Sequence, residues 1–303
     1  MKVIISGASG LTGRALVHAL RAKGHSVCRL VRPGGSLSPG DIRWDPTSAS
    51  VDTAAMEGTD ALVHLSGASI ASHRWTHARK AVLRSSRVDS TRVLVDALSH
   101  LRKKPRAFLS ASATGYYGNR GDELLTEASE GGTDFLALLA RDWESEAQRA
   151  SLAGIRTVLL RFGLILSAKG GALPIMLLPY RLCVGGRLGT GTQWISWVTI
   201  EDATNILLSI LEDESLSGPV NIVSPNPLQN AEFTRAVARA LHRPAVFPAP
   251  AFVLRAVLGE MADALLLASQ RVKSERLLTL GYTFRFTEIE AALHAILHAD
   301  KKS

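Results

Sequence analysis

Three glycines near the start of the chain have the spacing of a nucleotide-binding turn. Gly7, Gly10 and Gly13 follow a short apolar run and precede a stretch whose apolar residues recur at helical intervals. In such a strand–turn–helix unit the first glycine permits a sharp turn, the second lets a pyrophosphate approach the backbone, and the third allows close packing. The helix N-terminus offers free N–H groups and a partial positive charge. The pattern predicts a dinucleotide site; the alternative is a glycine turn without a ligand.

The end of the second predicted strand distinguishes between two nicotinamide cofactors. This strand ends at Val31 and Arg32, with no acidic residue near its tip. An acid here hydrogen-bonds the free 2′-hydroxyl of NAD, whereas an arginine pairs with the 2′-phosphate of NADP. We therefore predict NADP(H), with Arg32 on the 2′-phosphate; the alternative is an arginine that is only solvated. Asp45 closes the third predicted strand, and it either meets the adenine edge or begins an Asp-Pro turn.

Composition and charge indicate a globular protein with a substantial core. The 303 residues are 46% hydrophobic and 20% charged, and the most apolar stretch, residues 252–268, is interrupted by charges. Lys and Arg exceed Asp and Glu by 35 to 27, which gives a net charge of +8. The basic residues are scattered, so a solvated surface is favoured over nucleic-acid binding.

Cysteine usage and the start of the chain predict the compartment. Cys28 and Cys183 form neither a disulfide framework nor a metal-ligand spacing, so no metal is expected. The sequence opens on a core strand rather than on a signal peptide, and we expect a cytoplasmic protein.

Predicted strands and helices alternate, which favours a parallel sheet covered by helices on both faces. Strands are expected at residues 3–5, 27–31, 42–45, 61–65, 106–112, 157–162 and 220–223, and helices after the glycine turn, at about 75–101 and at 135–150. The predicted fold class is α/β, a Rossmann-type doubly wound sheet with a smaller C-terminal α/β lobe. Residues 1–224 are expected to form the nucleotide-binding domain, with a loop-rich insertion at about 167–197, and residues 225–303 the lobe.

The glycine spacing resembles that of the extended short-chain dehydrogenase/reductase superfamily, which includes nucleotide-sugar epimerases and dehydratases. Residues 64–68, His-Leu-Ser-Gly-Ala, and residues 110–118, Ser-Ala-Ser-Ala-Thr-Gly-Tyr-Tyr-Gly, are similar to two further superfamily motifs. The resemblance implies that the backbone of the first segment lines the cofactor, where the alternative is tight packing of small residues. It also places Ser112 at the catalytic Ser/Thr position, where the hydroxyl helps to hold a substrate oxygen beside the nicotinamide. Arg87 falls on a helix that passes over the pyrophosphate in related enzymes; it either pairs with phosphate or ribose or is solvated.

The usual catalytic dyad of the superfamily, Tyr-x-x-x-Lys, is absent. Leu138 and Asp142 fall roughly where the tyrosine and lysine belong. Leucine cannot transfer a proton, and aspartate reverses the charge that would lower a tyrosine pKa. Two interpretations stay open: Tyr116 or Tyr117 replaces the missing proton donor, aided by Arg120, or the protein binds NADPH without rapid turnover. Aromatic packing is a further alternative for the two tyrosines.

Several other segments resemble the atypical "epimerase family proteins", also described as sugar-nucleotide epimerase-like or cell-division-inhibitor-like. They are residues 43–46 (Arg-Trp-Asp-Pro), 142–144 (Asp-Trp-Glu), 161–166, 189–202, 221–233, 258–261 and 269–272. The resemblance implies an NADP-binding Rossmann domain with a characteristic C-terminal domain, and contact of the backbone around Ile165 with the nicotinamide amide. The Trp194–Trp197 stretch either stacks on a substrate or packs the lobe, and His73 is either a proton donor or an exposed loop histidine.

Two functional hypotheses follow. The first is an NADP(H)-dependent oxidoreductase or nucleotide-sugar epimerase acting on a small, polar or sugar-like molecule, with Ser112 and Tyr116 as catalytic residues. The second is a non-catalytic regulatory protein that senses NADPH. Neither nucleic acid nor a membrane is an expected partner. The expected cofactor-binding residues are Gly7, Ser9, Gly10, Leu11, Thr12, Gly13, Val31, Arg32, Asp45, Leu65, Ser66, Gly67, Arg87, Ser110 and Ile165.

Overall fold

The computed structural model of the protein describes residues 1–298 and shows a mixed α/β fold. The strands are β1 Lys2–Ser6, β2 Ser26–Val31, β3 Ile42–Asp45, β4 Ser50–Val51, β5 Ala61–His64, β6 Ala107–Ala113, β7 Leu124–Leu125, β8 Arg156–Phe162, β9 Leu164–Leu166, β10 Trp194–Ile195, β11 Trp197–Thr199, β12 Gly218–Ile222, β13 Leu228–Gln229 and β14 Arg271–Val272. The α-helices are α1 Leu11–Ala22, α2 Thr53–Met56, α3 His77–Arg84, α4 Ser90–Ser99, α5 Phe135–Leu152, α6 Leu173–Arg181, α7 Ile200–Glu212, α8 Asn230–Leu241, α9 Ala251–Leu258, α10 Glu260–Ala262, α11 Glu275–Thr279 and α12 Ile289–His298.

The chain folds into two compact units, each assembled from several stretches. The first contains Met1–Ala113, Leu139–Arg161 and Thr204–Val220, and the second contains Thr114–Leu138, Phe162–Ala203 and the described chain from Asn221 onward. The second unit therefore includes stretches from both sides of residue 224, and the domain boundary drawn there from the sequence stays a prediction.

The first unit carries an eight-stranded sheet in the order β12-β8-β6-β5-β1-β2-β3-β4. β1 pairs in parallel with both β2 and β5, so the strand order reverses beside β1. In doubly wound sheets a ligand binds outside the carboxyl ends of the strands at such a reversal. The prediction of a doubly wound parallel sheet is confirmed, and the short strand β4 adds an antiparallel edge that was not predicted.

The core of the first unit explains the apolar runs of the central strands. One buried cluster brings together residues of the sheet with residues of α4 and α5, among them Ile4, Leu62, Phe108, Leu94, Leu98 and Ala147. Strands covered on both faces are apolar almost throughout, because neither face meets water. This core holds the carboxyl ends of β1, β5 and β6 in a fixed arrangement.

The helical stretch after β5 differs from the expected continuous helix. It runs from His77 to Ser99, but Ser85–Asp89 form a π-helical turn between α3 and α4. Ser90 Oγ donates to Ser86 O at 2.8 Å, and Thr91 Oγ1 donates to Arg87 O at 2.6 Å. The two hydroxyls thus hydrogen-bond to main-chain carbonyl oxygens of the helix at the place where the helix is locally wider. The turn contains Arg87.

The second unit has its own core. Residues from α6, α8, α12 and β11 form a buried cluster that includes Leu177, Phe233, Val237, Leu293 and Trp197. Short strand pairs complete the unit: β9 with β11, β10 with β13, and β7 with β14. Within the range of the expected loop-rich insertion, about residues 167–197, the structure has α6 and β10.

Candidate functional site

The glycine turn after β1 is shaped by close contacts that exclude larger residues at two of its three positions. Gly7 has φ +71°, and a Cβ there would lie 2.7 Å from the carbonyl carbon of Leu65. A Cβ on Gly13 would lie 2.2 Å from Gly7 O. Gly10 is different, because it is exposed and its nearest neighbour, Gly7 O, would be 3.2 Å from an added Cβ. Gly7 and Gly13 are therefore required by packing, and Gly10 keeps the outer surface of the turn open.

The N-terminus of α1 presents backbone N–H groups at this open surface. Gly10 is the N-cap, no described side chain caps it, and the first turn contains no acidic residue. Ser9 is exposed, and Leu11 and Thr12 are half-buried. The first N–H groups of a helix have no partner within the helix and carry its positive dipole end. This arrangement is suited to an anion.

A buried histidine lies beneath the turn. The Nδ1 of His64 lies 2.6 Å from Ser6 Oγ, and its ring packs among Trp44, Phe108 and Trp143. Burial, together with the nearby positive charge of Arg87, lowers the pKa of His64 to about 3. His64 is therefore neutral at physiological pH and ties the end of β5 to the end of β1. Sequence reasoning named this histidine only as part of a backbone motif.

Arg87 lies against the loop that follows β5. Its Nη2 donates to Ala68 O at 3.0 Å, and its guanidinium carbon lies 5.3 Å from the centre of the Trp143 ring. A Cβ on exposed Gly67 would lie 3.3 Å from the same guanidinium, and Leu65 and Ser66 are half-buried beside it. Burial and the charge of Arg79 lower the pKa of Arg87 to about 10. No carboxylate of residues 1–298 pairs with Arg87, so an incoming anion would offset its burial.

The tip of β2 carries two arginines in different situations. Arg29 is bound bidentately to Asp41, which raises the pKa of the arginine and lowers that of the aspartate. Arg32, one residue beyond half-buried Val31, is exposed, and its side chain has no hydrogen bond or ion pair within the described chain. Arg43 stands beside Val31 in the sheet register and is also exposed and unpaired among the described residues. Sequence reasoning did not assign Arg43.

Asp45 takes part in the turn that follows β3. Its carboxylate accepts hydrogen bonds from Thr47 N, Thr47 Oγ1 and Ser48 Oγ, and these bonds lower its pKa. The Asp45 side chain is therefore hydrogen-bonded within the turn, and a contact between Asp45 and a cofactor stays a prediction.

Strand β6 carries the predicted serines. Ser110 pairs with His64 in the register and is buried, with its hydroxyl 3.4 Å from Ala111 O. Ser112 is also buried, and its hydroxyl donates to Glu144 Oε1 at 2.6 Å. Glu144 in turn forms an ion pair with Arg161, at 2.7 Å between Nη2 and Oε2. Sequence reasoning quoted Glu144 and Arg161 only within family-like motifs and missed that Glu144 contacts both Ser112 and Arg161.

The positions of the missing dyad hold residues that cannot replace its tyrosine and lysine. Leu138 is 46% exposed. Asp142 forms a surface ion pair with Arg84. Between them and Glu144 lies Trp143, whose indole N–H donates to Thr91 Oγ1 at 2.9 Å. Helix α5 thus uses its buried face for the Trp143 and Glu144 side chains, and places no proton donor at the Leu138 position.

In the second unit the two tyrosines have separate environments. Tyr117 is fully buried and donates its hydroxyl to Asn221 Oδ1 at 2.7 Å, as a packing residue would. Tyr116 is half-buried, with its ring edge-on to Tyr117 at 5.3 Å. Arg120 is bound to Glu123, so its guanidinium is already engaged. Of the two tyrosines, Tyr116 is the more accessible.

The remaining predicted residues also differ in burial and in their hydrogen bonds. Ile165 is half-buried and pairs with Val198 between β9 and β11. Trp197 is fully buried and donates to Asn226 O, which is the packing role. Trp194 donates to Asp122 Oδ1 at 2.7 Å, and the Arg271 guanidinium lies 4.4 Å from its ring centre. His73 is exposed, and its Nδ1 lies 3.0 Å from Ser72 Oγ.

Comparison with known proteins agrees with this architecture. The sequence profile described as "NAD dependent epimerase/dehydratase family" matches residues 3–223. The chain belongs to this family. A second profile, "Domain of unknown function (DUF1731)", matches residues 249–296. An epimerase family protein of Mycobacterium leprae is 41% identical over 291 residues, which cover 96% of this chain and 94% of that protein.

Two solved structures are similar to this protein over nearly the whole of its chain. A crystal structure of human epimerase family protein SDR39U1 with NADPH has a TM-score of 0.88 at 34% identity, covering 98% of this chain and 99% of that one. A nucleoside-diphosphate sugar epimerase from Corynebacterium glutamicum has a TM-score of 0.81 at 38% identity, covering 98% of this chain and 58% of that one. None of the helices within residues 1–298 combines the length and apolar content needed to cross a membrane.

Proposed function

We propose that this protein is an NADP(H)-dependent oxidoreductase of an atypical short-chain dehydrogenase/reductase type. Two features carry the proposal: the N-terminus of α1 and Arg32 at the tip of β2, neither of which has a side-chain partner among residues 1–298. The NADPH in the human SDR39U1 structure supports the same cofactor.

The residues present fit such a cofactor. The exposed surface at Gly10 and the N–H groups at the start of α1 would bind the pyrophosphate, because a Cβ is missing where the phosphate oxygens approach. Arg32 would bind the 2′-phosphate, with Arg43 beside it in the register. Arg87 supplies a further cation that lacks a carboxylate within the described residues. When bound, NADPH supplies a hydride from its nicotinamide ring.

The two residues proposed for the chemistry are Ser112 in the first unit and Tyr116 in the second, and each is considered within its own unit. Ser112 holds the superfamily's Ser/Thr position and is fixed by Glu144. Tyr116 is the proposed proton donor, since Tyr117 uses its hydroxyl for Asn221. The substrate is a small molecule, and a sugar-like compound is the class indicated by the family.

A second candidate function is an NADPH sensor without rapid turnover. The exposed Leu138 and the surface ion pair of Asp142 favour it, because leucine cannot exchange a proton and a negative aspartate cannot lower a tyrosine pKa. The two candidates share the cofactor site and differ in chemistry.

Calorimetry and a turnover screen test both candidates. The protein is titrated with NADPH and with NADH, and then incubated with NADPH and a panel of ketones, aldehydes and nucleotide sugars while nicotinamide absorbance is followed. Tight NADPH binding with turnover supports the oxidoreductase, and tight binding with no loss of absorbance supports the sensor. Absence of binding heat with either nucleotide would refute the cofactor site itself.

A further inference from the structure

Ser112 belongs to a chain of three buried polar side chains in the first unit. Ser112, Glu144 and Arg161 are 4%, 7% and 3% exposed, respectively. Ser112 Oγ donates to Glu144 Oε1 at 2.6 Å, Arg161 Nε donates to the same oxygen at 2.8 Å, and Arg161 Nη2 donates to Oε2 at 2.7 Å. The three residues come from β6, α5 and β8, so the contacts join three separate elements.

Stability alone is a weak reason for this arrangement. Two buried charges lose hydration, and an apolar group of similar volume often serves a core equally well or better. Ser110, two residues earlier on the same strand, is buried and makes no hydrogen bond to a carboxylate of residues 1–298. The ion pair is therefore located specifically at the serine that occupies the superfamily's catalytic position.

The direction of the Ser112 hydrogen bond follows from the chemistry of its partner. A serine hydroxyl has one hydrogen and two lone pairs. A carboxylate bound to a guanidinium can only accept, and hydrogen bonds to ionised groups are stronger than those between neutral groups. The one hydrogen of Ser112 is thus directed to Glu144, and only its lone pairs are available to another molecule.

We propose that Glu144 and Arg161 hold Ser112 as a hydrogen-bond acceptor, so that the group it receives is a donor, the hydroxyl of an alcohol substrate. This reverses the role in which the serine donates to a substrate carbonyl oxygen. Glu144 and Arg161 act as positioning residues. The identity of the ligand rests on the proposed function, whereas the orientation of Ser112 does not.

The orientation is tested first, without cofactor or substrate. The variant Ser112→Cys introduces a thiol whose ionisation is followed by the ultraviolet absorbance of the thiolate, with the wild-type signal from Cys28 and Cys183 subtracted. Ser110→Cys is the matched control, because it reports burial on the same strand without the carboxylate. A thiol that donates to Glu144 should titrate about one pH unit or more above the control, since a neighbouring carboxylate disfavours a thiolate.

In a third variant, Ser112→Cys with Glu144→Gln, the thiol should titrate about one pH unit or more below the thiol of Ser112→Cys alone. Equal titration of the Ser112→Cys and Ser110→Cys thiols would overturn the proposal. The first comparison keeps Glu144 and Arg161 intact, so it remains decisive if the double variant does not fold. The thiol titration needs no NADPH, so it gives a result even if NADPH does not bind. The proposed function and the orientation of Ser112 can therefore fail independently of each other.

The substrate class is tested in turnover assays of matched alcohol and ketone pairs, with NADP⁺ as the oxidant of each alcohol and NADPH as the reductant of each ketone. Loss of a hydrogen bond to a neutral hydroxyl corresponds to about tenfold in affinity. Ser112→Ala should therefore raise the KM of the alcohol by about tenfold and change that of the ketone much less. A larger rise for the ketone would show that Ser112 donates, and it would overturn the proposal.

Discussion

Replacing Gly10 by alanine should separate cofactor binding from folding. Its φ of −73° suits alanine, and the added Cβ would have only Gly7 O nearby, at 3.2 Å. Alanine is a poorer N-cap than glycine, but it reduces the entropy of the unfolded chain, and the two effects oppose each other. We expect the free energy of unfolding to change by less than about 1 kcal/mol.

The same substitution at Gly13 should have the opposite outcome. An added Cβ would lie 2.2 Å from Gly7 O and 2.8 Å from Ala8 Cα, and both of these atoms belong to the backbone. Backbone cannot move aside as a flexible side chain can, so α1 must shift away from β1. The cost should be about 3 kcal/mol, the upper part of the range for overpacked cores.

The effect on the cofactor follows from the position of the methyl group. At Gly10 it would stand over the N–H groups at the start of α1, where phosphate oxygens would accept. A hydrogen bond to a charged group contributes about 1.5–3 kcal/mol, so losing one raises the Kd for NADPH by about 10- to 150-fold.

Calorimetric titration with NADPH and unfolding by urea give the two quantities for both variants. The pair is its own control, because the substitutions are identical and lie three residues apart. A folded Gly10→Ala variant that binds NADPH as tightly as the wild type would refute the reasoning, because the pyrophosphate would then lie elsewhere.

Three further predictions concern single side chains. Arg32→Asp should weaken NADPH binding by about 10- to 100-fold and reduce the difference in affinity between NADPH and NADH. The control variant Arg21→Asp, at the other end of α1, should leave that difference unchanged. Equal NADPH/NADH preferences in the two variants would show that Arg32 does not bind the 2′-phosphate. His64 has a pKa of about 3 in the folded protein and about 6.5 when unfolded, so the unfolded chain binds more protons between these values, and stability is lost as pH falls below about 6.5. Urea unfolding should therefore show His64 contributing a loss of about 2 kcal/mol between pH 7.5 and 5, absent from His64→Asn, and an identical pH dependence in both proteins would contradict the lowered pKa. Tyr117→Phe should reduce the free energy of unfolding by about 1–3 kcal/mol, because Asn221 Oδ1 loses its buried donor, and NADPH affinity should stay unchanged; unaltered urea unfolding would show that the contact has no such role.

Local sequence patterns determined the nucleotide-binding turn and the class of fold. Gly7, Gly10 and Gly13 lie within one seven-residue stretch. Their spacing alone therefore predicts the sharp turn, the close approach of a phosphate to the backbone and the start of the helix. The apolar runs of the strands and the missing dyad on α5 are equally local, since they depend on residue types at neighbouring or helical positions. The prediction of a doubly wound sheet followed from them, although the π-helical turn at Ser85–Asp89 did not.

Only the tertiary structure decided which polar groups are already engaged. Arg29 and Arg32 are alike in sequence, yet Arg29 is bound to Asp41, twelve residues away, and Arg32 is left exposed. Glu144 contacts Ser112 and Arg161, which are 32 and 17 residues away in the sequence, and no local pattern records these contacts. The physical reason is that burial and ion pairing arise when distant elements pack together. The chain's own residue pattern therefore indicated where a cofactor would bind, and packing determined which hydrogen bond Ser112 makes.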